Sequence, residues 1–208
     1  MYSLNTNAAR KADSIGGMIN EIGKYVGTFT QAEDVTASTG TRGIALKFVA
    51  NTGQKANLSI YTQGADGKQY MGFDTLMAMM TCLSLRDIKP QPGTVTRWDN
   101  DTKTEVKQAG KIFPELQGKP IGVLLETEDY EKNGGGIGTR MVLRAVFQAN
   151  TELTASEILD KKTQPEQLAR MVQSLRHRPI KGKKPAAAHA PTGSTGSGFD
   201  DMDDDIPF

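Results

Sequence analysis

Apolar and polar side chains alternate along four stretches of the chain, and strict alternation predicts half-buried strands. Over 43–50, Ile44, Leu46 and Phe48 fall on one face and Ala45, Lys47 and Val49 on the other. After a hairpin turn at Asn51-Thr52-Gly53-Gln54, residues 56–63 return with Leu58 and Ile60 inside and Asn57, Ser59 and Tyr61 outside. Residues 121–130 set Ile121, Val123 and Leu125 against Gly122, Leu124 and Glu126. Residues 138–148 set Met141, Leu143, Ala145 and Phe147 against Arg140, Val142 and Arg144. A looser strand over 22–31 carries Tyr25 and Phe29 with Gly23 and Gly27, as a strand bent around a barrel corner would. Leu76, Met79, Met80 and Leu83 stand at helical spacing, which predicts a helix from a capping Asp74 to about Leu85.

Between these elements lie two less regular segments. Residues 90–119 are polar and flanked by Pro90, Pro92, Pro114 and Pro120, so they form a long insertion or a short extra hairpin. Residues 129–138 form a charged, Gly-rich loop. Thr154 and Ser156 suit the cap of one C-terminal helix, and Pro165 the start of another ending near Leu175. Three strands, a helix and two strands is the element order of the five-stranded Greek-key barrel called the OB-fold, whose face and loops take oligonucleotides. An SH3-like barrel or a small sandwich fits the strand count nearly as well; the helix between the third and fourth strands favours the OB-fold. The expected class is mainly β.

Length and charge divide the chain further. Its 208 residues allow one domain of ordinary size plus a tail. From Arg176 the composition turns to Lys, Pro, Ala, Gly, Ser and Thr, with Ile180 the one strongly apolar side chain before Gly198. Such a segment buries too little to offset its ordering entropy, so a domain over 1–175 and a flexible linker over 176–199 are expected. The net charge of +1 conceals a strong split: residues 176–184 carry five Lys and Arg, and 185–208 carry five Asp with neither. A single cysteine, Cys82, rules out an internal disulfide and fits a reducing cytosol. The first twelve residues hold no apolar signal segment, and no run approaches the ~18 apolar residues of a membrane span. With His177 and His189 the only histidines, no usual zinc spacing can be assembled, and no metal or other cofactor is expected.

The last nine residues are Asp200-Asp201-Met202-Asp203-Asp204-Asp205-Ile206-Pro207-Phe208. An apolar hook on an acidic leash serves no fold, but a Phe ring with an α-carboxylate suits a shallow pocket rimmed by Arg or Lys. This segment resembles the C-terminal tip of bacterial single-stranded-DNA-binding proteins, which end in an acidic run and Ile-Pro-Phe. The resemblance implies a partner-docking tip over 200–208. In it Asp203, Asp204, Asp205, Ile206, Pro207 and Phe208 would recruit host or phage replication and repair enzymes. The body is broadly similar, in element order and layout, to phage-encoded single-stranded-DNA-binding proteins.

Binding a single strand without sequence preference requires cations for the phosphates and aromatic rings for the unstacked bases. Alternation leaves Lys47 and Tyr61 on an outer face. Arg97 and Trp98 lie in the polar insertion, Lys68 and Tyr70 just before the helix, and Tyr130 and Lys132 at the base of the Gly-rich loop. Arg140 and Arg144 share one face of the last strand by alternation. Each has an ordinary alternative: Trp98 as insertion packing, Tyr70 against the helix, the arginines paired with Glu126 or Glu128 across the hairpin. The methionines at 77, 79 and 80 read as packing.

An enzyme is not expected. Gly134-Gly135-Gly136-Ile137-Gly138 has no following Lys-Ser or Lys-Thr and is no P-loop. Glu126, Glu128, Asp129 and Glu131 would have to hold Mg²⁺ among basic neighbours with no His or Lys partner. The expectation is therefore a protein that coats single-stranded DNA during replication, recombination and repair in a bacterial cytosol. With DNA absent, the acidic tip would occupy the cationic groove, so deleting 200–208 should tighten DNA binding. A recombination mediator, annealing partner or adaptor with weak DNA affinity is the alternative; a homodimer is left open.

Overall fold

The computed structural model describes residues 16–99, 102–132 and 134–180. Among the described residues seven antiparallel strands carry the fold: β1 (Gly23–Thr36), β2 (Arg42–Ala50), β3 (Lys55–Gln63), β4 (Gln91–Asp99), β5 (Thr104–Ile112), β6 (Pro120–Glu131) and β7 (Ile137–Phe147). Helix α1 (Met71–Cys82) follows β3, and two short helices, α2 (Ala155–Leu159) and α3 (Gln167–Gln173), follow β7. The class is mainly β, as expected, with seven strands rather than five. The two additional ones form a hairpin within the polar segment 90–119.

β1 is the organising strand. Its first half, 23–28, pairs with β6, while 27–36 pair with β2 along the opposite edge; Glu33 also meets Ile112 of β5. β2 continues to β3, and β6 to β7. Both ladders overlap at Gly27, opposite Ala50 and Ile121. A Cβ there would lie 2.1 Å from the Val49 carbonyl oxygen, so the crossing of two ladders requires glycine.

The alternation explains the core. Ile44, Leu46 and Phe48 of β2 and Leu58 and Ile60 of β3 turn inward to meet Phe29, Ile121, Val123 and Leu125. Phe29 and Phe48 meet edge to face, with centroids 5.7 Å apart; full burial of each ring contributes about 1.5–3 kcal/mol. Leu76, Met79 and Cys82 of α1 plug this core, and the helix lies against β3 and β7. A second cluster forms outside the sheet, where Leu168 of α3 covers Leu124 and Phe147.

Helix α1 starts at Met71, three residues before the expected cap. Tyr70 holds the N-cap position without a side-chain bond, and Asp74 instead sits in the first turn, where a carboxylate favours the positive end of the helix dipole. The C-terminus is a Schellman motif. Ser84 takes φ 55, its amide donates to Thr81, and that of Leu85 donates to Met80 at 2.8 Å.

The first residues of the segment expected as a linker are held against the sheet. Residues 176–178 lie along β6, with the Arg178 amide donating to the Thr127 carbonyl at 2.8 Å and the Asp129 amide to the Arg178 carbonyl at 2.9 Å. Residues 181–199 of the expected linker and the whole expected tip, 200–208 with Asp203, Asp204, Asp205, Ile206, Pro207 and Phe208, lie outside the described residues. Among the described residues no helix is long and apolar enough to cross a membrane.

Candidate nucleic-acid interface

The side chains that alternation keeps out of the core form rungs across the outer face of β1–β2–β3. Lys55 stands opposite Val49, Asn57 opposite Lys47 and Gln31, Ser59 opposite Ala45 and Glu33, and Tyr61 opposite Gly43 and Val35. Tyr61 is partly exposed beside the side-chain-free strip at Gly43. This patch carries a ring and two lysines on a rigid sheet.

The β4–β5 ribbon is fastened over one side of that face. Gln31 of β1 bonds both backbone groups of Thr96, accepting from its amide at 2.7 Å and donating to its carbonyl at 3.4 Å. Arg97 donates to the carboxylate of Glu33, which is almost wholly buried. Lys47 Nζ reaches Glu105 Oε1 at 2.9 Å. The Lys47 hydrogen bond outweighs a slight burial cost and, with the charges of Lys47 and Lys55, holds the Glu105 carboxyl below its ordinary range. Trp98, half-buried, stands directly across the ribbon from Glu105. Arg97, Trp98, Asp99, Val106 and Gln108 line an adjoining hollow of about 270 Å³.

Tyr70 is near the end of the same sheet. Its amide donates to the Thr62 carbonyl at 3.1 Å, and its ring covers Gly64. This half-buried ring rests on the turn after β3, beside the strand bearing Tyr61.

Lys68 is exposed in the turn before Tyr70, and four further sequence candidates belong to the β6–β7 hairpin. The Tyr130 ring rests on Gly138, and the Arg140 guanidinium stands 5.6 Å from its centroid. Arg140 also pairs with Glu128 at 2.9 Å, the cross-hairpin bridge weighed as an alternative. Tyr130 is thus packed within its own hairpin. Lys132 is exposed at the turn, where the Gly135 amide returns to its carbonyl. Arg144 is exposed too, but it is the extra residue at a register shift, between Leu143 opposite Leu125 and Ala145 opposite Leu124. Simple alternation consequently does not put it on the face of Arg140.

The carboxylates considered for a metal have other partners. Glu126 is taken by Arg178, Glu128 by Arg140, and Asp129 by His177 and Thr139. Among the described residues no group of three His, Cys, Asp or Glu side chains is placed to hold an ion.

Sequence reasoning missed Gln31, Glu33 and Glu105, which tie the ribbon to the sheet, and Lys55, whose charge acts on Glu105. The β-branched run Thr94-Val95-Thr96 ahead of Arg97-Trp98 could have located β4, but not its docking. No protein-family profile matches the chain, and no curated protein matches it.

Proposed function

We propose that this protein binds single-stranded DNA without sequence preference and brings partner enzymes to it through its acidic Ile-Pro-Phe segment. The observation that carries this reading is the outer face of β1–β2–β3, where Lys47, Lys55 and Tyr61 lie beside a ribbon bearing Arg97 and Trp98. Cations and rings on one rigid face are what a strand of phosphates and unstacked bases requires. The strand path supports an OB-fold reading. Three strands led by a shared β1, a helix plugging the core, then two strands with the first paired back to β1 follow its order, with β4–β5 as an inserted ribbon. The resemblance of residues 200–208 to the tips of bacterial single-stranded-DNA-binding proteins supports the recruiting role and a bacterial cytosolic setting.

A second reading has one specific observation in its favour. Lys47 and Arg97 already have carboxylate partners in Glu105 and Glu33, so the face is less positive than its cations alone suggest. That favours a mediator or adaptor with weak DNA affinity of its own. Neither reading assigns a catalytic group.

Fluorescence anisotropy of end-labelled oligo-dT of graded length separates them. A DNA-coating protein binds at low salt with an affinity that falls steeply as salt rises. An adaptor gives little signal at any length, while still capturing repair or replication enzymes in a manner that depends on Phe208.

A further inference from the structure

We propose that Glu105 occupies the position of a DNA backbone phosphate, so that Lys47, Lys55 and Trp98 form a one-nucleotide subsite that the ribbon itself keeps filled. This inference rests on the DNA-binding reading above and assigns one place on that face.

Lys47 leaves the middle of β2 on the outer face, and its ammonium is held by Glu105 at 2.9 Å. Lys55, two positions before Asn57 on β3, adds a second positive charge that acts on the same carboxylate. A carboxylate and a phosphodiester each carry one negative charge over two acceptor oxygens. A place that holds the first against an ammonium group therefore suits the second.

The aromatic partner is on the same rung. Trp98 and Glu105 are directly opposed across β4–β5. Directly opposed residues project from the same side of a ribbon with Cβ atoms about 5 Å apart. A phosphate in place of the Glu105 carboxylate would thus have an indole beside it, within reach of the base it carries.

The exchange is easy in the direction required. The Glu105 side chain is 58% exposed, whereas that of Lys47 is 20% exposed. Exposed ion pairs contribute little to stability, so releasing Glu105 into solvent costs the ribbon little. The Gln31–Thr96 and Glu33–Arg97 contacts would still hold the ribbon in place. Filling the subsite with an internal carboxylate would lower affinity for isolated anions, while a strand that also stacks on Trp98 would compete successfully.

The test uses the full chain, labelled oligo-dT and low salt. Glu105→Gln removes the competing charge and is predicted to tighten binding about threefold to fivefold. The gain should vanish when Lys47→Gln is also present, because the vacated partner is gone. Asp160→Asn, the same charge change beyond α2, should leave affinity unchanged. Unchanged or weaker binding by Glu105→Gln, with the wild type binding normally, would overturn the subsite and leave the DNA-binding reading standing. A gain that survives Lys47→Gln, or that Asp160→Asn reproduces, would reduce the effect to net charge and overturn it as well. Absence of binding by the wild type would remove the DNA-binding reading and the subsite together.

Discussion

Arg178 Nε donates to Glu126 Oε2 at 2.6 Å, joining two residues 52 positions apart. Glu126 is buried on β6, and this guanidinium, with the Arg176 amide at 3.4 Å, supplies its hydrogen bonds from the docked segment. Removing Arg178 leaves a buried carboxylate without its charged partner. Arg178→Ala should therefore cost about 1–3 kcal/mol of stability in urea unfolding. Adding Glu126→Gln should recover part of that loss; no recovery would show that the packing of residues 176–178, and not the ion pair, is what matters.

Glu157 ties the two short helices together. Its carboxylate accepts from the Thr154 amide and hydroxyl, completing a capping box on α2, and from the Glu166 and Gln167 amides at the start of α3. Burial opposes its ionisation, but these bonds prevail and hold the carboxyl at about 2. A carboxyl lowered by folding stabilises the protein above its unfolded value and loses that contribution as pH falls toward 2. Glu157→Gln should cost about 2–3 kcal/mol at neutral pH. The gap from the wild type should narrow between pH 5 and pH 2 (about the span of the two values). A gap constant with pH would contradict this account.

Gly27 tests the strand crossing. A methyl group at this position meets backbone on the neighbouring strand, which cannot rotate away. Gly27→Ala should cost about 3 kcal/mol or more, seen as a lower Tm or loss of soluble protein. A variant as stable as the wild type would mean that β1 is not flanked by two ladders at this point.

Cys82 provides a probe of the core. Burial pushes its thiol up to about 11, and the thiolate is the reactive form. Native protein should react with an aromatic disulfide reagent only as fast as it unfolds, and denatured protein at once. Rapid labelling of the native form would contradict the packing of α1 against the sheet.

Much of the fold was legible because one face of β2 and β3 is buried and alternation records that fact, while β6 is buried on both faces and shows as an apolar run. β5 was not legible for the opposite reason: residues 104–109 are all exposed, and a strand without a buried face leaves no apolar period. The docking of Arg176–Arg178 was hidden by Pro179 and a basic composition, since a single buried carboxylate far away in sequence fixes it. Arg97 and Trp98 were legible as candidates by residue type alone. Their grouping with Lys47 depends on Gln31, Glu33 and Glu105, polar residues whose spacing carries no signal. Arg144 was placed with Arg140 by a parity that the register shift cancels.

Trp98 is the chain's only tryptophan, so its fluorescence reports directly on the ribbon and the face beside it. Titrating the full chain with oligo-dT under tryptophan-selective excitation, at rising salt, is the most direct test of the central claim. Saturable quenching with a constant that weakens as salt rises is predicted. Unchanged Trp98 emission, with no binding to labelled oligo-dT at low salt, would contradict it.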